Sequence, residues 1–222
     1  PQLDGNLRPT LALIEALQEH PNCRLVYLSS GGTLYGDSVQ PAQETDPLRP
    51  RSYHGAGKAA AEHFIHAWAT QYAGRAVVLR PSNIYGPGQY PRSGFGVVSA
   101  AFECCLKKRE MTIWGDGTTV RDYLFIEDFV ELVTSILRSV WPLGVQTYNA
   151  SRNEGTSLNQ LLARIERVTG QSVPRRYVGT RRVDIGVILL DNAAVRARLS
   201  WTPMTSLDTG LQRTWQWFRE SA

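Results

Sequence analysis

Twice within the first 80 residues a helical pattern of apolar residues runs into a short, apolar, β-rich stretch, and this repeat restricts the fold more than any other feature. "NLRPTLALIEALQEH" (6–20) sets Leu7, Leu11, Ile14 and Leu17 at helical spacing until "PN" stops it, and "RLVYLSS" (24–30) follows almost at once. "GKAAAEHFIHAWATQYA" (57–73) then leads through Gly74 into "AVVLR" (76–80). Short strands with no polar alternation are those of parallel sheets covered by helices on both faces. Helix followed closely by strand is the αβ half of a βαβ unit, so the chain predicts an α/β fold with a doubly wound parallel sheet. With 42% hydrophobic residues in 222, it can bury a real core.

The rest of the chain continues the alternation. After a loop rich in Gly, Pro and acidic residues (31–52) and the second strand comes "PSNIYGPGQYPRSG" (81–94), a Pro/Gly loop at the strand's carboxyl end, where open α/β sheets hold ligands. Helix 95–109, strand 111–114, helix 127–139 and strand 146–150 follow. Helix 156–170 opens on a Ser157/Gln160 capping box and closes on Gly170. Strand 187–191 and helices 192–199 and 206–219 complete the pattern. Trp141, Trp201, Trp215 and Trp217 read as core or domain-contact residues. A nucleotide-binding sheet of this kind normally begins with strand, Gly-rich turn and helix, yet no G-x-G-x-x-G occurs. Either the fold binds no dinucleotide, or its first half is not in this sequence.

The formal charge is +4, but Lys and Arg are spread along the chain, which favours an acidic small molecule over nucleic acid. Cys23, Cys104 and Cys105 have neither metal-ligand spacing nor an even number, which suits a reducing, cytoplasmic setting. His63 and His66 lack a third ligand, so no metal is expected. No apolar run approaches the roughly 18 residues of a membrane span.

Four stretches carry the chemistry: "NLRPTLALIEA" (6–16), "YLSSGGTLYGD" (27–37), "RSYHGAGKAAAE" (51–62) and "LRPSNIYGPGQ" (79–89). In this order and spacing they resemble the extended short-chain dehydrogenase/reductases, and among these the NAD-dependent sugar-nucleotide epimerase/dehydratase family typified by UDP-glucose 4-epimerase. "TIWGDGTTVRDYLFIEDFVE" (112–131), "RRVDIGVILLDNAAVRARLSWTP" (181–203) and "SLDTGLQRTWQWF" (206–218) extend the resemblance over nearly the whole chain. It implies that the Gly-rich NAD-binding turn precedes Pro1, leaving an incomplete, Rossmann-like sheet with an interleaved smaller substrate domain. On this reading residues 1–90 are the carboxyl half of the NAD-binding domain. Residues 91–222 are mainly the substrate domain, with 120–150 returning to the first sheet.

The resemblance implies a tyrosine base whose pKa a lysine lowers, because a phenol near pKa 10 is otherwise a poor base at neutral pH. Lys58 holds the lysine position. The family pattern is Y-x-x-x-K, however, and four residues before Lys58 stands His54, with Tyr53 five before. At about 100° per residue, positions i and i+4 lie about 40° apart and i and i+5 about 140° apart. Tyr53 therefore serves only if the helix begins irregularly, for instance with a π-type bulge. Otherwise His54 replaces it, or the chemistry has been lost. The family's site hydroxyl, four before the tyrosine of "YG", falls on Gly31, so its role passes to Thr33, with Ser30 as second choice. In the alternative these hydroxyls only satisfy backbone groups in a turn.

For the cofactor, the resemblance assigns Lys58, Ser29, Tyr53, Asn6 and Pro81. For the substrate it assigns Asn83, Arg121 and Arg181 to the diphosphate, Asp184 to the nucleoside ribose and Thr33 to the sugar. Arg182 stands ready to exchange with Arg181. Trp114 either borders the nucleobase or is core. The implied function is that of an NAD-dependent epimerase, or a related oxidoreductase, acting on a nucleotide-diphosphate sugar, a UDP-hexose first, by transient hydride transfer to NAD, in a homodimer paired through helices 6–18 and 57–72. The competing reading is a non-catalytic member that at most binds nucleotide sugar.

Overall fold

The computed structural model describes residues 3–20, 22–37, 40–92, 95–180 and 185–221. A π-helical turn, Leu3–Leu7, leads into α1 (Arg8–Gln18) and β1 (Arg24–Leu28), then α2 (Gly31–Leu34) and α3 (Tyr53–Gln71). β2 (Arg75–Pro81), β3 (Asn83–Tyr85), α4 (Val97–Lys107), β4 (Met111–Trp114), β5 (Val120–Phe125) and α5 (Ile126–Arg138) follow. β6 (Gly144–Ala150), β7 (Gly155–Ser157), α6 (Leu158–Thr169), β8 (Arg175–Val178), β9 (Val187–Ile188), α7 (Ala193–Leu199) and α8 (Leu207–Glu220) complete the order.

β1, β2 and β6 form a parallel sheet in that order, with Leu79 of β2 registered between Leu28 and Tyr148. Strand residues alternate faces. Ala76 and Val78 therefore meet Ile14 and Leu17 of α1 and Ile65, Trp68 and Ala69 of α3, while Val77 and Leu79 meet Leu132 and Ile136 of α5, Val195 of α7 and Trp201. Helices on both faces make this the expected doubly wound, Rossmann-like arrangement. Among the described residues β1 pairs on one side only.

The second core lies where α4, α6 and α8 converge. Phe102, Leu161, Leu162, Ile165, Leu211, Trp215 and Phe218 pack there with Tyr85, Tyr123 and Phe125. β5 joins β3 in parallel, β7 antiparallel and β9 in parallel, and β4 pairs with β8. Within 120–150, β5 pairs with β3, β7 and β9, its Leu124 packs in the core of the first sheet with Leu132 and Ile136 of α5, and β6 joins that sheet directly. Residues 193–201 also return, through Val195 and Trp201. The α6 capping box forms as its sequence requires, Ser157 and Gln160 bonding each other's backbone N–H.

Candidate active site

A cleft of about 920 Å³ opens between the carboxyl end of the first sheet and the second core. Ser29, Ser30 and Thr33 from the β1–α2 junction, His54 from α3, and Pro81, Ser82 and Asn83 from the β2–β3 junction line one side. Val97 and Val98 of α4, Arg121 and Tyr123 of β5 and Leu158 of α6 line the other. Among the described residues no Asp or Glu lines the cleft, and Arg121 gives that lining a positive charge, which favours an anion.

The start of α3 decides which side chain enters. Ser52 caps it, its hydroxyl accepting from the Gly55 N–H at 3.1 Å, and α-helix is regular from Tyr53 onward. The irregular start that would turn Tyr53 toward Lys58 is absent; the π-helical turn lies instead at Leu3–Leu7. Tyr53 is accordingly 88% exposed and is not among the cleft residues, whereas half-buried His54 is. Gly55 permits this docking: a Cβ there would collide with the Thr33 carbonyl oxygen and stand 3.0 Å from Pro50 Cβ.

Lys58, one turn after His54, donates from Nζ to the Leu28 carbonyl at 2.8 Å and lies 4.9 Å over the Tyr27 ring. Burial lowers the Lys58 pKa, opposed by the Glu62 carboxylate. Burial, and then the Lys58 ammonium, lowers the pKa of His54.

Gly31, at the family's hydroxyl position, has no room for a side chain: a Cβ would collide with Leu190 and approach the Arg80 carbonyl oxygen to 2.9 Å. Thr33 Oγ1 makes a long 3.5 Å bond to the Ser30 carbonyl, and Ser30, the N-cap of α2, makes no side-chain cap bond. Ser29 is 6% exposed, and its Oγ, on the cleft wall, has no hydrogen-bond partner among the described residues. Asn6 lies in the π-helical turn and is not among the cleft-lining residues, its carbonyl accepting from Thr10 Oγ1 at 2.8 Å.

On the substrate side, Asn83 Nδ2 donates to the Asp122 carbonyl at 3.0 Å. Arg121 donates to the carbonyls of Val120 at 2.8 Å and Ile185 at 2.9 Å. Trp114, at the end of β4, is 48% exposed and does not line the cleft, so it is not core. Arg181, Arg182 and Asp184 lie outside the described residues. Sequence reasoning missed Ser82, Tyr85, Phe95, Val98 and Leu158, although the Pro/Gly loop 81–94 pointed to the first two.

Beside the cleft runs a buried network. Arg80 pairs with Glu62 at 2.6 Å and donates to Tyr35 Oη at 2.7 Å and the Glu44 carbonyl at 3.1 Å. Tyr35 donates to Asn149 Oδ1 at 2.7 Å, and Asn149 donates to the Ala42 carbonyl at 2.8 Å. Burial pushes the Tyr35 phenol up to about 12, so the tyrosine of "LYG" is a structural hydrogen-bonding group. Asp122 is similarly enclosed, accepting from Ser82 Oγ and from the N–H groups of Arg152 and Glu154 at 2.7–3.0 Å.

Residues 2–150 match the family model described as "NAD dependent epimerase/dehydratase family". The UDP-glucose 4-epimerase of Mycolicibacterium smegmatis is 32% identical over 219 residues, covering 98% of this chain and 69% of that protein. The UDP-glucuronate 4-epimerase of Thermodesulfobacterium geofontis is 28% identical, covering 99% of this chain and 66% of that one. Among solved structures, the Thermus thermophilus UDP-glucose 4-epimerase in complex with NAD superposes with a TM-score of 0.92 at 30% identity, over 99% of this chain and 71% of that one.

Proposed function

The chain belongs to the NAD-dependent epimerase/dehydratase family, and from that premise we propose that it serves the NAD-dependent 4-epimerisation of a nucleotide-diphosphate sugar, a UDP-hexose in the first instance. The observation that carries this reading is the cleft at the carboxyl end of the sheet, with titratable His54 on one side and Arg121 on the other. NAD, when bound, reversibly accepts a hydride from the sugar.

The residues present suit that cofactor. Ser29 Oγ is a buried donor and acceptor awaiting a partner, and Lys58 holds a cation at the carboxyl end of β1, with Pro81 on the same wall. Lys58 Nζ supplies donors for ribose hydroxyls. Thr33 and Ser30 supply hydroxyls to the reacting centre, and Asn83 and Arg121 supply the donors a diphosphate needs. Asn6 remains assigned to the cofactor by resemblance. Arg181 and Asp184 remain assigned to the diphosphate and ribose by resemblance, and Trp114 to the nucleobase.

A non-catalytic binder is the second reading, favoured by the exclusion of a hydroxyl at Gly31 and of Tyr53 from the cleft. Incubating the NAD-loaded protein with UDP-, dTDP- and GDP-hexoses and following the sugars by NMR separates the two. Interconversion of C4 epimers is expected; calorimetric binding without interconversion would establish the binder. We also propose a homodimer through α1 and α3, whose Leu13 and Phe64 are 47% and 46% exposed. A cytoplasmic setting suits the three free cysteines. No helix among the described residues is long and apolar enough to cross a membrane.

A further inference from the structure

The family pattern supplies a phenol as base, and four tyrosines lie in or near this cleft, yet none is placed to serve. Tyr53 points outside. Tyr35 is occupied by Arg80 and Asn149. Tyr85 is 2% exposed and donates to the Leu207 carbonyl, and burial pushes the Tyr123 phenol up to about 12. His54 is the cleft group whose ordinary titration range lies near neutrality. It stands four residues before Lys58 on a regular, capped helix, in the register where the pattern has its tyrosine.

We propose that His54 is the proton acceptor for the sugar hydroxyl, in place of the family's tyrosine; this rests on the cleft being the nucleotide-sugar site. The neutral imidazole nitrogen takes the hydroxyl proton, the O–H pair becomes the second C–O bond, and the C–H pair leaves as hydride to the oxidised nicotinamide. The products are a 4-keto sugar, an imidazolium and a reduced nicotinamide. Return of the hydride to the other face of the carbonyl, with the proton from the imidazolium, restores the hydroxyl with inverted configuration.

The surroundings suit this exchange. A phenol needs Lys58 to become a base, whereas an imidazole does not. The lysine is correspondingly engaged with the Leu28 carbonyl and the Tyr27 ring at the end of β1. Among the described residues, the titratable groups that line the cleft with His54 are Tyr85 on β3 and Arg121 and Tyr123 on β5; on its own helix Lys58 follows one turn later and Glu62 two turns later, and Arg51, just before the helix, pairs with Asp37. α2 contributes only Gly32 and Thr33 to the wall. Burial and the Lys58 ammonium both favour the neutral imidazole, the form that accepts a proton.

The test compares His54→Phe and Tyr53→Phe in the NAD-loaded protein. His54→Phe is expected to lower kcat by about a hundredfold or more, and the residual rate should lack the fall of kcat/KM at acid pH that is expected of the wild type. Tyr53→Phe should leave kcat within about twofold, since exposed substitutions change little. A second readout is independent of turnover: the wild type should bind UDP-glucose about tenfold more tightly than UDP-4-deoxyglucose, one good hydrogen bond, and His54→Phe should abolish the difference. A preference and a rate that survive in His54→Phe, or a loss as large in Tyr53→Phe, would overturn the assignment while leaving the sugar site standing. Absence of nucleotide-sugar binding in the wild type would remove both.

Discussion

Beside the cleft, Glu62, Arg80, Tyr35 and Asn149 are joined in a chain of hydrogen bonds of 2.6–2.7 Å. On the cleft wall a few residues away, Ser29 Oγ is just as buried and answers nothing. Both regions sit at the carboxyl end of the same sheet, Ser29 after β1 and Arg80 and Asn149 on β2 and β6, and both are buried, so the difference does not come from depth. A buried polar group without a partner carries a desolvation cost. The network removes that cost within the chain and thereby fixes the backbone of β2, α2 and the 42–44 loop. The wall leaves it standing where a ligand can remove it.

The largest effect should come from breaking the network. Arg80→Ala strands the Glu62 carboxylate in a site where its side chain is 3% exposed, and loss of one partner of a buried pair costs about 3–5 kcal/mol. Urea denaturation should show that loss, and Glu62→Met with Arg80→Met should recover most of it. A loss below about 1 kcal/mol would mean the pair behaves as a surface ion pair, and the contrast with the wall would fall. Asp122→Ala should follow at roughly 3 kcal/mol, since it leaves Ser82 Oγ and two backbone N–H groups without their acceptor.

How far the contrast was legible in the sequence depends on range. The helix registers were readable, and so was the position of Lys58 relative to His54, because 100° per residue needs no tertiary information. The choice between Tyr53 and His54 stayed open because it turns on a local cap: Ser52 makes α3 regular from its first residue, although Gly55 and Gly57 permit an irregular one. The partners of Tyr35 at positions 80 and 149 were invisible to spacing, and so was the filling of Gly31's side-chain space by Leu190. β5 escaped notice because "VRDYLF" runs into α5 without Gly or Pro to separate them, and α2 because "GGTL" opposes helix by propensity.

Gly31→Ser sharpens the comparison by installing the family's hydroxyl where this wall has none. Because Leu190 and the Arg80 carbonyl occupy its space, the substitution should overpack the β2–α2 junction and cost about 2 kcal/mol. Thermal unfolding would show it. An unchanged midpoint would mean that Leu190 yields, so that its packing against α2 does not define the wall.

The smallest effect is the most informative about the wall. Ser29→Ala removes a hydroxyl that the folded chain desolvates without compensation, so stability should rise slightly, by about 0.5–1 kcal/mol. The same change should weaken NAD binding by about fivefold in calorimetry. Opposite signs in the two measurements are what a ligand-directed hydroxyl requires. If stability falls instead, the hydroxyl has a partner within the chain, and wall and network obey one rule.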